Sequence, residues 1–515
     1  MNDVNSESAR GALRPVHWAV LLLSMTLFVY LRARWVGHLL VWDEAMNLTT
    51  VRAFKAGGQD DFSNWFWRHP PLFCLLMLGL RPLQAGFAER TEILAILIGL
   101  LNLGLLFRLN RRLFGLSIAL WSVFLLACMP GSILFDVWIK RDHPVTTFGL
   151  LAITFILSRR PLPAGVCLGL ALLFKETGVF YLLAVVLLWA VRRGERRTWG
   201  TLACITLVPA VVASWWYLGV KPLIANAGDA GNIARRTLFS GIAEHVELAF
   251  NANSIWANPW FYYLTRIEPY LGPVFIALIF TALITFMRRR ARELRTNAAW
   301  TILLIVPTYL LLSLLSSKVP WVPMTLAPAW ATLAAIGAAT LVQLLQRVAP
   351  PSLSGRRRRT LAAAFSALLA MSCVVPVARR DYDATLEEVD AGQLRGARFS
   401  YEAAQAMNAR VNDNDRILLT SFYYWQGVPP THACPVFAYY FIRNPEVLMR
   451  SHLASFADLH ADIVRYGIDW ALLSPPPGPH AQAVFRGFTQ DLGLPPHPLG
   501  ATAIFHTTPL KEVIN

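Results

Sequence analysis

The chain has 515 residues, of which 55% are hydrophobic and only 15% are charged, against about 25% charged residues in typical soluble domains. This composition excludes a soluble globular protein and a disordered one, and six cysteines are too few for a disulfide scaffold. The net charge of +16 comes from short basic runs between apolar stretches. That pattern is typical of a protein in a lipid bilayer, so we expect no nucleic-acid partner.

Eleven apolar stretches are predicted to cross the bilayer as helices, although three of them are shorter than the ~20 residues of a full crossing. Threaded from a cytoplasmic N-terminus, they place most arginine runs on the cytoplasmic side, as the positive-inside rule expects. Arg32 and Arg34, at the outer end of the first stretch, are exceptions. The stretches are residues 16–36, 92–108, 116–134, 144–158, 162–174, 178–191, 200–218, 270–287, 298–316, 322–345 and 361–377.

Three short apolar segments need a separate interpretation. Residues 70–80 are too few to span and end at Arg81-Pro82, so we predict a helix that lies along the outer surface. Residues 162–174 and 178–191 are interrupted by Lys175 and Glu176. We predict two half-length helices that meet at an outward-facing turn. The first apolar stretch lacks a small-residue cleavage site and is expected to remain as an anchor.

The composition becomes mixed after residue 377. Helix-periodic stretches at 400–411 and 454–467 alternate there with short apolar runs at 416–422, 469–474 and 501–507, which predicts a small α/β domain outside the membrane. The predicted organisation is therefore an α-helical polytopic transmembrane domain, residues 1–377, followed by an extracytoplasmic α/β domain, residues 378–515. The transmembrane domain carries long outer loops at 37–91 and 219–269.

Charged residues with functional potential concentrate at the predicted outer ends of the helices. Asp43 and Glu44 are adjacent after the first span, and two carboxylates in an apolar setting are candidates for proton transfer. Asp136 and Asp142 flank two cations, and Lys175 lies in the turn between the half-length helices. A structural role is the alternative for each motif: a helix cap for the carboxylates, and an ion pair with Glu176 for the lysine.

The order and spacing of these motifs resemble the GT-C membrane glycosyltransferases of the protein O-mannosyltransferase and lipid A aminoarabinose transferase type, which are glycosyltransferase family 39-like. The resemblance covers about residues 10–345. It rests on WDEA after the first span, HPPL in the surface helix, Arg90 at the start of span two, Asp142 opening span four, KETG, and SKVP. It implies a GT-C fold and a sugar donor linked to polyprenyl phosphate, with Asp43 at the family's catalytic aspartate position.

We therefore predict an inverting hexosyl- or pentosyltransferase that moves a sugar from polyprenyl phosphate to a hydroxyl of a lipid, glycan or protein. The reaction is expected at the outer face of the inner membrane. Asp43, Glu44 and Asp142 are the predicted catalytic carboxylates, with Asp43 as the base that takes the acceptor proton. Fixed cations would stabilise the departing lipid phosphate, so neither a cofactor nor a divalent metal is expected. These cations are His69, Arg90, Lys175 and Lys318.

Two other classes of function remain open at this level. One is a transporter or flippase of lipid-linked sugars, although such proteins usually show broken helices near the midplane and repeated halves. The other is a membrane scaffold whose exported domain binds a partner, in which case the carboxylates would be dispensable. The enzyme hypothesis requires that the acidic pair and the cations lie at the same face of the membrane.

Overall fold

The structure, a computed structural model, is described for part of the chain. By internal contacts the chain divides into two compact units, residues 1–38 with 67–390, and residues 39–66 with 391–515. The predicted boundary between residues 377 and 378 remains a prediction. The described residues are 14–53, 70–80, 87–191, 198–220, 259–288, 292–314, 322–350, 352–420, 435–442, 446–450, 454–473, 479–492, 494, 496–499 and 502–507.

Helices dominate the described residues, and strands occur only near the C-terminal end. The helices are α1 Pro15–Ala33, α2 Trp42–Ala53, α3 Leu72–Leu80, α4 Phe87–Phe114, α5 Leu116–Cys128, α6 Pro130–Val137, α7 Asp142–Leu157, α8 Pro161–Phe174, α9 Gly178–Val191, α10 Trp199–Ser214, α11 Tyr262–Thr265, α12 Ile267–Leu271, α13 Pro273–Met287, α14 Arg292–Leu314, α15 Ala327–Val348, α16 Gly355–Arg379, α17 Tyr382–Asn408, α18 Pro435–Tyr440, α19 Phe456–Tyr466 and α20 Pro479–Arg486. The strands are β1 Arg416–Thr420, β2 Glu446–Arg450, β3 Trp470–Leu473, β4 His497–Leu499 and β5 Thr502–His506.

The predicted membrane spans can be compared with these helices. Each of the eleven apolar stretches overlaps one or more of them. Within the described ranges, six helices are long and apolar enough to cross a membrane, or seven if the bent pair α5 and α6 counts as one span. Helices α7, α8, α9 and α13 are apolar but shorter. The mostly helical membrane fold is confirmed, whereas eleven crossings and their sidedness stay predictions.

Two local features of the sequence explain the breaks between helices. Met129 is extended and Pro130 opens α6, because proline fits the first turn of a helix but cannot continue the preceding one. The bend between α5 and α6 is 64°. Lys175 is likewise extended and ends α8 before α9 begins at Gly178. The predicted pair of half-length helices is confirmed, as is a helix within residues 70–80.

The helices of the first unit pack through small residues as well as large ones. Helix α13 packs on α15, which also contacts α5, and α8 packs between α7 and α10. Large aromatic side chains fill the interior, among them the fully buried Trp138, Trp216 and Trp300. Gly337 of α15 lies where α13 comes closest, since a Cβ atom there would lie 1.9 Å from the carbonyl oxygen of Leu278.

Gly337→Ala is therefore expected to destabilise the protein. The obstructing atom belongs to the backbone and cannot rotate away, so overpacking of about 1–3 kcal/mol outweighs the gain of about 0.5–1 kcal/mol from replacing a helical glycine with alanine. Gly104→Ala in α4 is the matched control, because a Cβ atom there meets nothing within 4 Å. Thermal unfolding in detergent should show a lower Tm for Gly337→Ala and an unchanged or higher Tm for Gly104→Ala. Equal Tm values would contradict this packing.

The second unit contains a mixed sheet. Among the described residues the strand order is β2-β1-β3-β5-β4. Strand β1 pairs in parallel with β2 and β3, and β5 pairs antiparallel with β3 and β4. The predicted apolar runs at 416–422, 469–474 and 501–507 each contain a strand. The core beneath includes Leu418, Leu459, Ile463, Phe488 and Phe505.

Helix α19 shows how the sequence sets element boundaries in this unit. Ser455 accepts a hydrogen bond from the backbone N–H of Asp458 at 3.2 Å, and the Asp458 carboxylate accepts one from the N–H of Ser455 at 3.3 Å. This reciprocal capping box satisfies two N–H groups at the helix start. Gly467, with φ of +60°, ends the helix in the left-handed conformation. Helix α2 also belongs to this unit and packs against α18.

Candidate functional site

An ion pair joins two of the predicted site residues in the first unit. Asp142 is the first residue of α7, and Lys175 is the residue that ends α8. Lys175 Nζ lies 3.0 Å from Asp142 Oδ1 and 2.7 Å from Asp142 Oδ2. The Thr177 hydroxyl donates to Oδ1 at 3.4 Å. Both charged side chains are mostly buried, with exposed fractions of 9% for Asp142 and 17% for Lys175.

This geometry bears on the structural alternatives raised by the sequence. From the sequence, Asp142 could have been the N-cap residue of the helix. In the structure it is the first residue of α7, and the N-cap residue is Arg141, which makes no side-chain capping bond. Lys175 was compatible with a simple ion pair to Glu176, but its carboxylate partner here is Asp142. The pair therefore connects the start of α7 with the end of the next helix, α8, across 33 positions of sequence.

A small cavity, lined by both apolar and polar side chains, lies beside this ion pair. Its volume is about 30 Å³, which is room for about two water molecules, so the cavity is too small for a sugar. Apolar side chains such as Phe28 and Phe135 line part of it. The polar lining includes Asn102, Ser132, Asp136, Lys140, Asp142, His143 and Thr146. Charged side chains at such low exposure retain a strong local field, because little water screens them.

Asp136 is the second carboxylate of the cavity, and its partners hold it firmly. Arg32 donates to Oδ2 from Nε at 2.8 Å and from Nη2 at 2.7 Å. The Ser132 hydroxyl donates to the same oxygen at 2.7 Å. His143 Nδ1 lies 3.6 Å from the other oxygen, Oδ1. Asp136 thus links α1, α6 and α7 through one carboxylate.

Arg32 also donates hydrogen bonds to backbone carbonyls at the break between α5 and α6. Its Nη1 donates to the carbonyl oxygens of Phe28 at 3.2 Å and Ala127 at 3.0 Å, and its Nη2 donates to that of Leu126 at 3.4 Å. Carbonyls in the last turn of a helix have no partner within that helix. A broken helix inside a membrane protein is tolerated when other groups satisfy these carbonyls. Arg32 provides this function for the end of α5, and its side chain is fully buried.

His143 lies between this carboxylate and a backbone carbonyl. Its Nε2 is 3.1 Å from the carbonyl oxygen of Trp138, which can only accept, so this contact is a hydrogen bond when Nε2 carries the proton. The amide of Asn102 donates to the His143 carbonyl at 3.3 Å, and the Thr147 hydroxyl donates to Asn102 at 2.7 Å. The start of α7 is therefore fixed to α4 by buried hydrogen bonds.

Another buried carboxylate of this unit was not anticipated from the sequence. Glu92 in α4 is fully buried and accepts a hydrogen bond from the backbone N–H of Gly37 at 2.7 Å. Its other oxygen lies 3.5 Å from His38 Nδ1. Gly37 has φ of +82°, a left-handed conformation that favours glycine. Glu92 thus holds the sharp turn that follows α1.

The predicted acidic pair belongs to the second unit. Asp43 lies in the first turn of α2 and is half-buried, while Glu44 is fully buried. Glu44 Oε2 accepts a hydrogen bond from the backbone N–H of Val41 at 3.2 Å. A glutamate at the third helical position often satisfies the N–H of the capping residue in this way. The capping role that the sequence left open for Asp43 is thus performed by its neighbour.

The remaining predicted site residues are distributed as follows. Arg90 is exposed in the first turn of α4. His69 and Lys318 lie outside the described residues. Among the parts of the chain that the structure describes, no three His, Cys, Asp or Glu side chains cluster as a metal site. The structure brings Asp142 and Lys175 together, and the roles assigned to all seven residues stay predictions.

Residues 68–217 match the family model of the dolichyl-phosphate-mannose-protein mannosyltransferases. The fold is similar to that of ArnT from Cupriavidus metallidurans bound to undecaprenyl phosphate, with a TM-score of 0.55, 16% sequence identity, and coverage of 95% of this chain and 97% of that chain. It is also similar to the oligosaccharyltransferase AglB from Archaeoglobus fulgidus in complex with an inhibitory peptide and a dolichol-phosphate. There the TM-score is 0.56, the identity 13%, and the coverage 89% of this chain and 69% of that chain. No curated protein sequence matches this chain.

These comparisons confirm the resemblance predicted from the sequence. The chain has the fold of GT-C membrane glycosyltransferases, and the matched segment contains Asp142, Lys175 and the cavity residues of α6 and α7. The family match and the fold together support a membrane glycosyltransferase.

Proposed function

We propose that the chain is an inverting glycosyltransferase that moves a sugar from a polyprenyl-phosphate donor to a hydroxyl acceptor. The observation that supports this most is the mostly buried Asp142–Lys175 pair, which lies in a fold similar to that of an undecaprenyl phosphate-bound protein. Buried charged groups are costly in a membrane protein and usually mark functional sites.

Lys175 is proposed to bind the phosphate of the donor lipid. Its ammonium nitrogen lies 2.7 Å from the Asp142 carboxylate. A lipid phosphate offers the same kind of oxygen acceptors as the carboxylate, so it can share the lysine. Arg90, His69 and Lys318 are proposed as further phosphate ligands on the strength of the sequence motifs. A fixed cation in a site of low exposure stabilises the charge that develops on a leaving phosphate.

The chemical step is proposed as a single displacement. The acceptor oxygen attacks the anomeric carbon while the bond from that carbon to the phosphate oxygen breaks, and the electron pair of this bond stays on the phosphate. Asp43 takes the proton of the acceptor hydroxyl. Attack from the face opposite the phosphate inverts the anomeric centre. Glu44 supports this step by capping α2, and no metal or cofactor is required because the leaving group carries no diphosphate.

The location and the acceptor are part of the proposal. The reaction is placed at the outer face of the inner membrane, with the N-terminus cytoplasmic and residues 378–515 extracytoplasmic. A lipid, a glycan or a protein hydroxyl can serve as acceptor, and the donor sugar is a hexose or a pentose. The polyprenyl chain keeps the donor in the bilayer, so only the acceptor has to approach from water.

Mass spectrometry tests the proposed function even though the donor sugar and the acceptor are unidentified. Glycolipids, polysaccharides and glycoproteins are compared between cells that have the protein and cells that lack it. We expect one class of molecule to lose a single sugar in the deletion strain and to regain it with the wild-type protein. The chain is a transporter if every glycan is unchanged and labelled lipid-linked sugar moves across the bilayer of proteoliposomes that contain the purified protein.

Lys175→Met is expected to weaken binding of undecaprenyl phosphate and to lower sugar transfer by about 10²–10³-fold, as for the loss of one donor that stabilises a transition-state charge. Asp142→Asn should leave binding of undecaprenyl phosphate intact or tighter, because Lys175 then loses its competing carboxylate. Arg347→Met, an exposed arginine in the last turn of α15, controls for the loss of a positive charge. Binding can be measured by native mass spectrometry, and equal binding by wild type and Lys175→Met would refute the phosphate role.

A further inference from the structure

Helix α2, which carries Asp43, depends on other elements for its position. It has 12 residues, and an isolated helix of this length is marginal in water. Within the second unit it packs along α18. Residues that fix the position of α18 therefore also stabilise the position of α2.

The chain that enters α2 is fixed by two consecutive backbone N–H groups. The N–H of Leu40 donates to the hydroxyl oxygen of Tyr440 at 3.2 Å. The N–H of Val41 donates to Glu44 at 3.2 Å. Both N–H groups lie before the first turn of the helix, where no helix carbonyl accepts from them, and side chains accept from them here. The first acceptor comes from a residue 400 positions further along the chain.

Tyr440 is in turn held on its backbone and its ring. The Asn408 amide donates from Nδ2 to the carbonyl oxygen of Tyr440 at 2.9 Å and accepts at Oδ1 from the N–H of Ile442 at 3.0 Å. One side chain thus clamps the segment on both sides of Phe441. The ring of Tyr401 packs edge-on against that of Tyr440 with centroids 4.8 Å apart, a favourable aromatic geometry.

We propose that Tyr440 and Asn408 are positioning residues for Asp43, so that the C-terminal part of the chain directly supports catalysis. This inference rests on the proposed function, in which Asp43 is the base. Asn408 fixes Tyr440, Tyr440 fixes the backbone at Leu40, and only two residues lie between Leu40 and Asp43. A base must lie within hydrogen-bond reach of the proton it takes, and a displacement of about 1 Å can cost about 10²-fold in rate.

The test combines hydrogen exchange of α2 with kinetics. Tyr440→Phe keeps the ring contact with Tyr401 and removes only the hydroxyl acceptor, and Asn408→Ala removes the clamp. Asp462→Asn is the control within the same unit, because its carboxylate pairs with Arg450 between α19 and β2. We expect faster exchange at residues 42–53 in the first two variants and wild-type exchange in the control.

The kinetic measurements distinguish misplacement of Asp43 from a general loss of structure. Tyr440→Phe and Asn408→Ala should lower kcat about tenfold with the KM for the lipid-linked donor and the binding of undecaprenyl phosphate unchanged. Unchanged exchange in α2 overturns the proposal, and so does faster exchange with an unchanged kcat. If exchange becomes faster but the wild-type protein transfers no sugar in any assay, the anchoring of α2 stands and the proposed function fails instead.

Discussion

Asp43→Asn is expected to lower sugar transfer by about 10²–10⁴-fold, which is the usual contribution of a positioned general base, while the protein still folds and accumulates. The substitution keeps the size and shape of the side chain and removes its ability to take a proton. Asp43 lies in the first turn of α2, where a negative charge stabilises a helix by about 0.3–1 kcal/mol. This loss of stability is small beside the expected loss of activity.

Two variants separate the catalytic effect from the structural one. Glu402→Gln removes an exposed carboxylate from the same unit and should leave activity at the wild-type level. Glu44→Gln keeps a carbonyl oxygen that can accept from the Val41 N–H, so it should retain more activity than Asp43→Asn. The measurement is transfer to the acceptor that mass spectrometry identifies, with the amount of folded protein checked in parallel. Full activity of Asp43→Asn would remove the base from the mechanism.

Arg32→Met is expected to destabilise the protein by about 3–5 kcal/mol, the typical cost of removing one partner from a buried ion pair. The substitution leaves the Asp136 carboxylate without its cation and the carbonyls of Leu126 and Ala127 without their donor. Each buried polar group left without a partner costs about 1–3 kcal/mol. The methionine fills part of the space but supplies no hydrogen bond.

A second substitution tests the cause of this loss. Arg32→Met combined with Asp136→Leu removes both charges, and the double variant should be more stable than Arg32→Met alone, since apolar replacements of buried pairs are often tolerated. Arg359→Met, at an exposed position of α16, controls for the loss of an arginine. Unfolding in detergent, followed by circular dichroism, gives the free energies. A stability of Arg32→Met equal to that of the control would show that the pair contributes nothing.

The sequence predicted much of the helical architecture, because apolar length and proline positions act locally. The break between α8 and α9 follows from Lys175, and the start of α7 from the charged run that ends at Asp142. Strands β1, β3 and β5 lie within the apolar runs identified from the sequence. Strand β4 has three residues, too few for an alternating pattern, and was not predicted. The packing of α2 with α18 was not predictable either, because it joins distant segments.

The candidate site was only partly accessible to the same reasoning. Asp142 and Lys175 were each selected, but their pairing depends on how α7 and α8 pack. Arg32 and Arg34 were noticed as exceptions to the positive-inside rule without an explanation. Both donate to carbonyls at the ends of helices: Arg32 at the end of α5, and Arg34 near the end of α16, at Val377 and Ala378. In both cases a charge that violates the positive-inside rule was therefore the signal of a structural role at a helix end.

The position of Arg32 has a practical consequence for the first helix. An N-terminal apolar helix is often treated as a targeting signal that can be replaced by the signal sequence of another exported protein. Here the exchange would preserve delivery to the membrane but remove the guanidinium group that holds α5 and α6 together. We therefore expect helix α1 to remain part of the folded protein, so a secretion tag should be fused ahead of it and leave Phe28 to Arg34 intact.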